Sequence, residues 1–178
     1  MQHKDKDKAK QVIVEIIRAA GGTFDNKTNL FKAFYHAHLH FAEHQRSFLS
    51  TWPIVHMPNG PGIDSFDRLL GEMLAAGVLE TRQTGCEPYR SFQFAVKNDH
   101  CFAELPTGSA EAIAAGVAAV DGRTAAEVSQ ESHRRAWHQT ANGEEMNIYL
   151  DLIPDAEYDR FENDARDVAA AIRKAWAS

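Results

Sequence analysis

Histidine is the residue type whose spacing in this chain points most directly to chemistry. His36, His40 and His44 recur every four residues, which lines them along one side of a helix, with Glu43 beside them. Two imidazoles at i and i+4 can chelate zinc, and a carboxylate can complete the set. A hydrolase of the HExxH type also needs a glutamate directly after the first histidine as general base, and Ala37 stands there. The three histidines fall on the polar side of their helix, so the same spacing describes a solvated face. A histidine-metal hydrolase is therefore the weakest of the readings. His38 falls among apolar positions and reads as a hydrogen-bonded, partly buried residue rather than a ligand.

Other nucleophiles lack company. A catalytic serine needs a sharp turn, a base and an oxyanion hole, and Ser47, Ser50 and Ser65 have no GxSxG around them. Cys86 falls in a hairpin turn and Cys101 in a loop, neither with a basic neighbour to favour the thiolate. Neither GxGxxG nor GxxxxGK[ST] occurs, so nothing indicates a nucleotide cofactor. The expectation is a protein with no cofactor and no bound metal, and not an enzyme.

Bulk properties narrow the class. The 178 residues suit one domain spanning 1–178, with 44% hydrophobic and 25% charged residues, a globular balance. A net charge of −6 sets the surface as a whole against nucleic acid and anionic membranes. Cys86 and Cys101 form no disulfide framework, which fits a reduced compartment. The start of the chain alternates Lys with Asp and carries no signal-peptide pattern, and the apolar run within 112–120 is too short to span a bilayer. A cytoplasmic location is expected.

These residues must be positioned by elements that the periodicity outlines. Ile13, Ile16, Ile17 and Ala20 share one face of a helix over 8–20 that Gly21-Gly22 ends. Asn26 or Thr28 caps a second, central helix reaching about Glu43, with Leu30, Phe31, Phe34, Tyr35, His38, Phe41 and Ala42 as its apolar stripe. Prolines and glycines make 50–63 an ordered loop with a short strand at 54–56. Asp64 or Ser65 caps a third helix carrying Phe66, Leu69, Leu70, Met73 and Leu74, and Gly77 stops it. Strands at 78–80 and around Phe92, Phe94 and Val96 follow, joined by a turn with Gly85 and Pro88. Next come an Ala-rich helix over 109–120, a capping box at Thr124 and Glu127, and a helical segment bearing His133 and Trp137. Met146 to Ile153 alternates like a strand. A last helix over 155–176 is expected to bury Tyr158, Phe161, Ala165, Val168, Ile172 and Trp176. The fold class is mainly α with a small antiparallel β element (α+β), one compact domain with a possible winged-helix-like helix-hairpin unit.

A winged-helix DNA-binding regulator is the second functional reading. A recognition helix must bring basic and amide side chains to phosphates and base edges. Residues 64–90 instead carry three basic against five acidic side chains, a poor reading head. Arg134-Arg135 is the chain's single adjacent arginine pair, and with Trp137 nearby it is the best partner contact that the residues offer.

Three stations along the chain remain: Leu30, Lys32 and Tyr35 opening the second helix; Gly60-Pro61 ahead of the third; and Val128-Ser129, Ser132-His133 and then Trp137. In this order they resemble the SocA-like antitoxin family, the Panacea domain, over about 28–150. Gly62, where the family usually has valine, and Pro58-Asn59, where an aromatic residue usually precedes the glycine, depart from its pattern. The resemblance implies a phage-associated or toxin-antitoxin type protein that neutralises a cognate toxin by direct contact and carries no catalytic residues. Partner contact is assigned to Arg134, Arg135, Trp137 and His133. Leu30, Lys32, Tyr35, Gly60, Pro61, Ser129 and His133 are assigned a structural role, with His133 and Trp137 packed together as a corner of the core.

Overall fold

The structure, a computed structural model, describes residues 5–84 and 91–176. The turn carrying Gly85, Cys86 and Pro88 lies outside the described residues, and so do the side chains of 175 and 176. The architecture is mainly helical with a small antiparallel sheet.

Helix α1 (Lys6–Ala19) starts where the Asp5 carboxylate accepts a hydrogen bond from the Lys8 amide. It is buried almost all round, with Ala9, Val12, Ile13, Ile16 and Ile17 in the core. Strand β1 (Thr23–Asp25) follows, and the Asn26 side chain then caps α2 (Lys27–Gln45) by accepting from the Thr28 amide. Helix α2 is the axis of the fold. Its Leu30, Ala33, Phe34, Tyr35 and Ala37 are fully enclosed, and even Lys32 is 1% exposed. Against it lies α4 (Ser109–Ala118), and Gly116 sets their approach: a Cβ there would meet the Ala33 carbonyl and Ala37. Small residues on both helices thus let the backbones come closer than larger side chains permit.

The segment 50–63 is more regular than expected. It forms a hairpin of β2 (Ile54–Met57) and β3 (Gly60–Ile63), with Pro58 and Asn59 at the turn and Gly60 at φ 91°. Glycine is suited to that left-handed conformation, which a Cβ makes costly. Helix α3 (Phe66–Ala75) begins after Ser65, which sits at the expected N-cap position but makes no side-chain cap bond. The strands β4 (Leu79–Thr84) and β5 (Ser91–Val96) pair with β1 in the order β1-β5-β4. The β4–β5 hairpin after α3 thus closes on the first strand, while the β2–β3 hairpin stands between α2 and α3. The Thr124–Glu127 capping box forms in full and opens α5 (Ala125–Ser132), and α6 (Arg135–His138) follows at once.

Two expectations fail at the C-terminal end. Residues 148–152 form a 3-10 helix instead of a strand. Alternation alone cannot hold a strand without a partner, and here the Leu150 and Ile153 carbonyls are taken by Arg135 while Asp151 turns inward. Met146 makes one sheet-like bond, its amide donating to the Ile54 carbonyl. The last helix, α7 (Asp155–Trp176), forms as expected but does not bury its apolar face: Phe161 is 58%, Val168 60% and Ile172 46% exposed. Among the described residues no helix is long and apolar enough to cross a membrane.

Candidate functional site

The three sequence stations meet in space. Lys32 projects from α2 into the fold, and its Nζ donates to the Pro61 carbonyl of β3 at 2.8 Å. Burial lowers its pKa from 10.5 to about 7, so the amine is held as a cross-link on scarcely hydrated ground. Gly60 is closed in by the same group and by the α5–α6 junction. A Cβ added to it would lie 2.5 Å from Ser132 Oγ, 2.9 Å from Lys32 Nζ and 3.1 Å from His133 Cδ2. Ser132 Oγ in turn donates to the Ser129 carbonyl, which fixes the end of α5. Leu30 sits in the core one turn before Phe34.

Tyr35 anchors the other side. Its hydroxyl donates to Asp151 Oδ2 at 2.6 Å, and Asp151 Oδ1 accepts the Ala136 amide at 2.8 Å. One carboxylate therefore joins α2, the 3-10 helix and the start of α6. Burial first, and then the Asp151 charge, raises the Tyr35 pKa and keeps the phenol protonated as donor.

On the outer surface these supports carry an aromatic stack. Trp137 lies on His133 with ring centroids 4.0 Å apart and 14° between planes, and His56 from β2 also stacks with it at 4.4 Å. The indole N–H donates to the Met57 carbonyl at 3.0 Å. His133 and Trp137 do pack together, across the break between α5 and α6 rather than along one helix. Burial first, and then the neighbouring Lys32 and the imidazoles of His138 and His56, lower the His133 pKa. Beside the stack Met57 is 38% exposed, and the hairpin borders a groove of about 220 Å³ lined in part by Lys27, Phe31, Lys32 and Pro58.

The two arginines separate. Arg134 is exposed, and among the described residues its guanidinium makes no ion pair or side-chain hydrogen bond. Arg135 is turned inward, donating to the Leu150 and Ile153 carbonyls and to Asp155, with its guanidinium 4.0 Å over the Tyr158 ring. Its donors are spent on holding the base of α7, an inward role that the sequence pair did not reveal.

The histidines of α2 behave differently from a uniform solvated face. His40 and His44 stack on each other at 4.3 Å on the outside. His36 is largely enclosed beside Tyr35, and burial, then Arg134, lowers its pKa to about 4. His38 is fully buried: its Nδ1–H donates to the Phe34 carbonyl while Nε2 accepts the Ser50 amide. Burial drives its pKa to about 4, and the acceptor role of Nε2 fits the neutral tautomer. Among the described residues no three His, Cys, Asp or Glu side chains gather as a metal-ligand group.

His56, Met57 and Asp151 complete the site and were missed in the sequence. His56 and Met57 lie in the proline-rich stretch, where no periodicity marks a face, and Asp151 lies in the segment read as a strand. Comparison with known proteins adds no relative: no family profile, no curated protein and no solved structure matches the chain.

Proposed function

We propose that this chain is a protein-binding module of the antitoxin type, which neutralises a toxin by covering its working surface. The observation that carries the reading is Trp137, stacked with both His133 and His56 and with its N–H engaged. Arg134, on the Tyr35–His36 side of the same α5–α6 junction, has no ion pair among the described residues. Rigid tryptophan and unspent arginine side chains are the residue types that dominate binding energy in protein interfaces, because little motion is lost when a partner arrives. The resemblance of the three stations to the SocA-like (Panacea) family supplies the toxin as partner. The convergence of those stations on Gly60 gives them a common purpose, to brace the hairpin that presents His56 and Met57.

The test is rescue of growth from a toxin encoded beside this chain's gene. Arg134→Glu combined with Met57→Glu places two acidic groups on the surface without touching the braces. The double variant is expected to lose rescue while melting at the wild-type temperature. Full rescue by that folded variant overturns the assignment of the surface.

The succession of α3 and the β4–β5 hairpin favours a second reading, a DNA-binding regulator. Its recognition helix would be α3, yet Asp67 there pairs with Lys27, Glu72 pairs with Lys6 and Lys10, and Arg68 lies over Trp52. The helix thus has little spare positive charge for phosphates. A mobility shift with its own promoter DNA, weakening as salt rises, would favour this reading over the first.

A further inference from the structure

The feature left without a purpose by the surface around Trp137 is α7. Its base is fixed: Arg135 holds Asp155 and covers Tyr158, and the Tyr158 hydroxyl is bonded to Gln139. Beyond Tyr158 the helix runs free of the body, and Phe161, Ala165, Val168 and Ile172 recur at intervals of 4, 3 and 4. This is the a/d spacing that makes a continuous apolar seam on one side of a helix. Three large apolar side chains in line, each roughly half exposed, lack a cover among the described residues.

The charges on α7 say what fits. From 155 to 164 five acidic residues stand against Arg160 alone. From 165 to 174 Arg166, Arg173 and Lys174 stand against Asp167 alone. A helix that is acidic in its first half and basic in its second is complementary to itself when turned end for end. We propose that α7 pairs antiparallel with α7 of a second copy, so that the protein is a two-fold symmetric dimer. In the a-against-d register, Ala165 packs on Val168 of the partner subunit and Phe161 on Ile172 of the partner subunit. The small central layer lets the two axes approach, and the bulky pairs close both ends. Each acidic half lies along a basic half, and the helix dipoles oppose. A parallel pair would set acidic half on acidic half.

Sedimentation equilibrium of the full chain tests this. Wild type should fit twice 19.8 kDa, and Phe161→Glu with Val168→Glu should fit 19.8 kDa with the melting of the body unchanged. Orientation is read separately, without altering an apolar residue. Arg173→Glu with Lys174→Glu should weaken dimerisation about tenfold, as reversed surface pairs do, and more at low salt than at high. Adding Glu157→Lys and Asp159→Lys to that variant should restore it. A wild type that stays monomeric, including one whose seam is reserved for a toxin, overturns the proposal. So does a dimer that survives the Phe161/Val168 variant or ignores the charge reversals. Because none of these residues touches the Trp137 surface, growth rescue and dimerisation fail independently.

Discussion

Substituting Gly60 by alanine tests whether the three stations are mechanically one unit. Two costs add there. The backbone at φ 91° disfavours a Cβ by ~1–2 kcal/mol. The Cβ also enters space held by Ser132 Oγ, Lys32 Nζ and His133, all of them restrained, and overpacking of this kind costs ~1–3 kcal/mol. Gly21 provides the control, for it has the same φ of 91° and nothing within 4 Å of an added Cβ. Gly21→Ala therefore reports backbone strain alone. For a chain of this size each kcal/mol moves Tm by ~2–4 °C, so Gly60→Ala should lower it by ~4–20 °C and Gly21→Ala by ~2–8 °C. Thermal unfolding followed by circular dichroism measures both. Removing the nearest obstacle with Ser132→Ala should return ~1 kcal/mol to Gly60→Ala, a coupling that a double-mutant cycle isolates. Equal losses at Gly60 and Gly21, with no coupling to Ser132, would refute the close packing on which the convergence rests.

Two further outcomes follow from groups around the same axis. His38 is held neutral with a pKa near 4, against 6.5 when unfolded, so its contribution is complete above pH 6.5 and is lost as pH falls towards 4. Urea unfolding of wild type against His38→Gln should show the difference shrinking by up to about 3 kcal/mol across that window, and parallel pH curves would sink the assignment. Tyr35→Phe removes the donor to a half-buried carboxylate and should cost ~1.5–3 kcal/mol by chemical unfolding, whereas a loss below ~0.5 kcal/mol would show that Asp151 does not depend on it.

Much of this architecture is legible where the physics is local. The i, i+3, i+4 pattern of α2 and α3, the Asn26 and Thr124 caps and the Gly77 stop each depend on residues within a turn or two, and all are found in place. What the sequence conceals is set by partners far along the chain. Three residues of β1 are too few for a pattern, and they become a strand because β5 offers bonds about 70 positions later. Met146 to Ile153 shows convincing alternation, yet the demands of Arg135 and Tyr35 wind it into a helix. The periodicity of α7 correctly marks an apolar face and is silent on what covers it. At the site, Lys32, Gly60, Ser132 and His133 were singled out by order along the chain, but their contact with one another is a property of the folded backbone. Lys32 shows the limit plainly: lysine on a helix suggests a side chain reaching for water, and here it ends on a carbonyl inside the protein.

The pairing of Phe24 with Phe94 also has a temporal meaning. A nascent chain leaving the ribosome exposes β1 long before β5 exists, so the first strand must wait while helices on either side of it consolidate from neighbouring residues. Helix α4, which packs against α2, comes later still, so the sheet can close before the helical body is complete. Until the sheet closes, Phe24 at the centre of β1 lacks Phe94, the cross-strand neighbour opposite it in the folded chain.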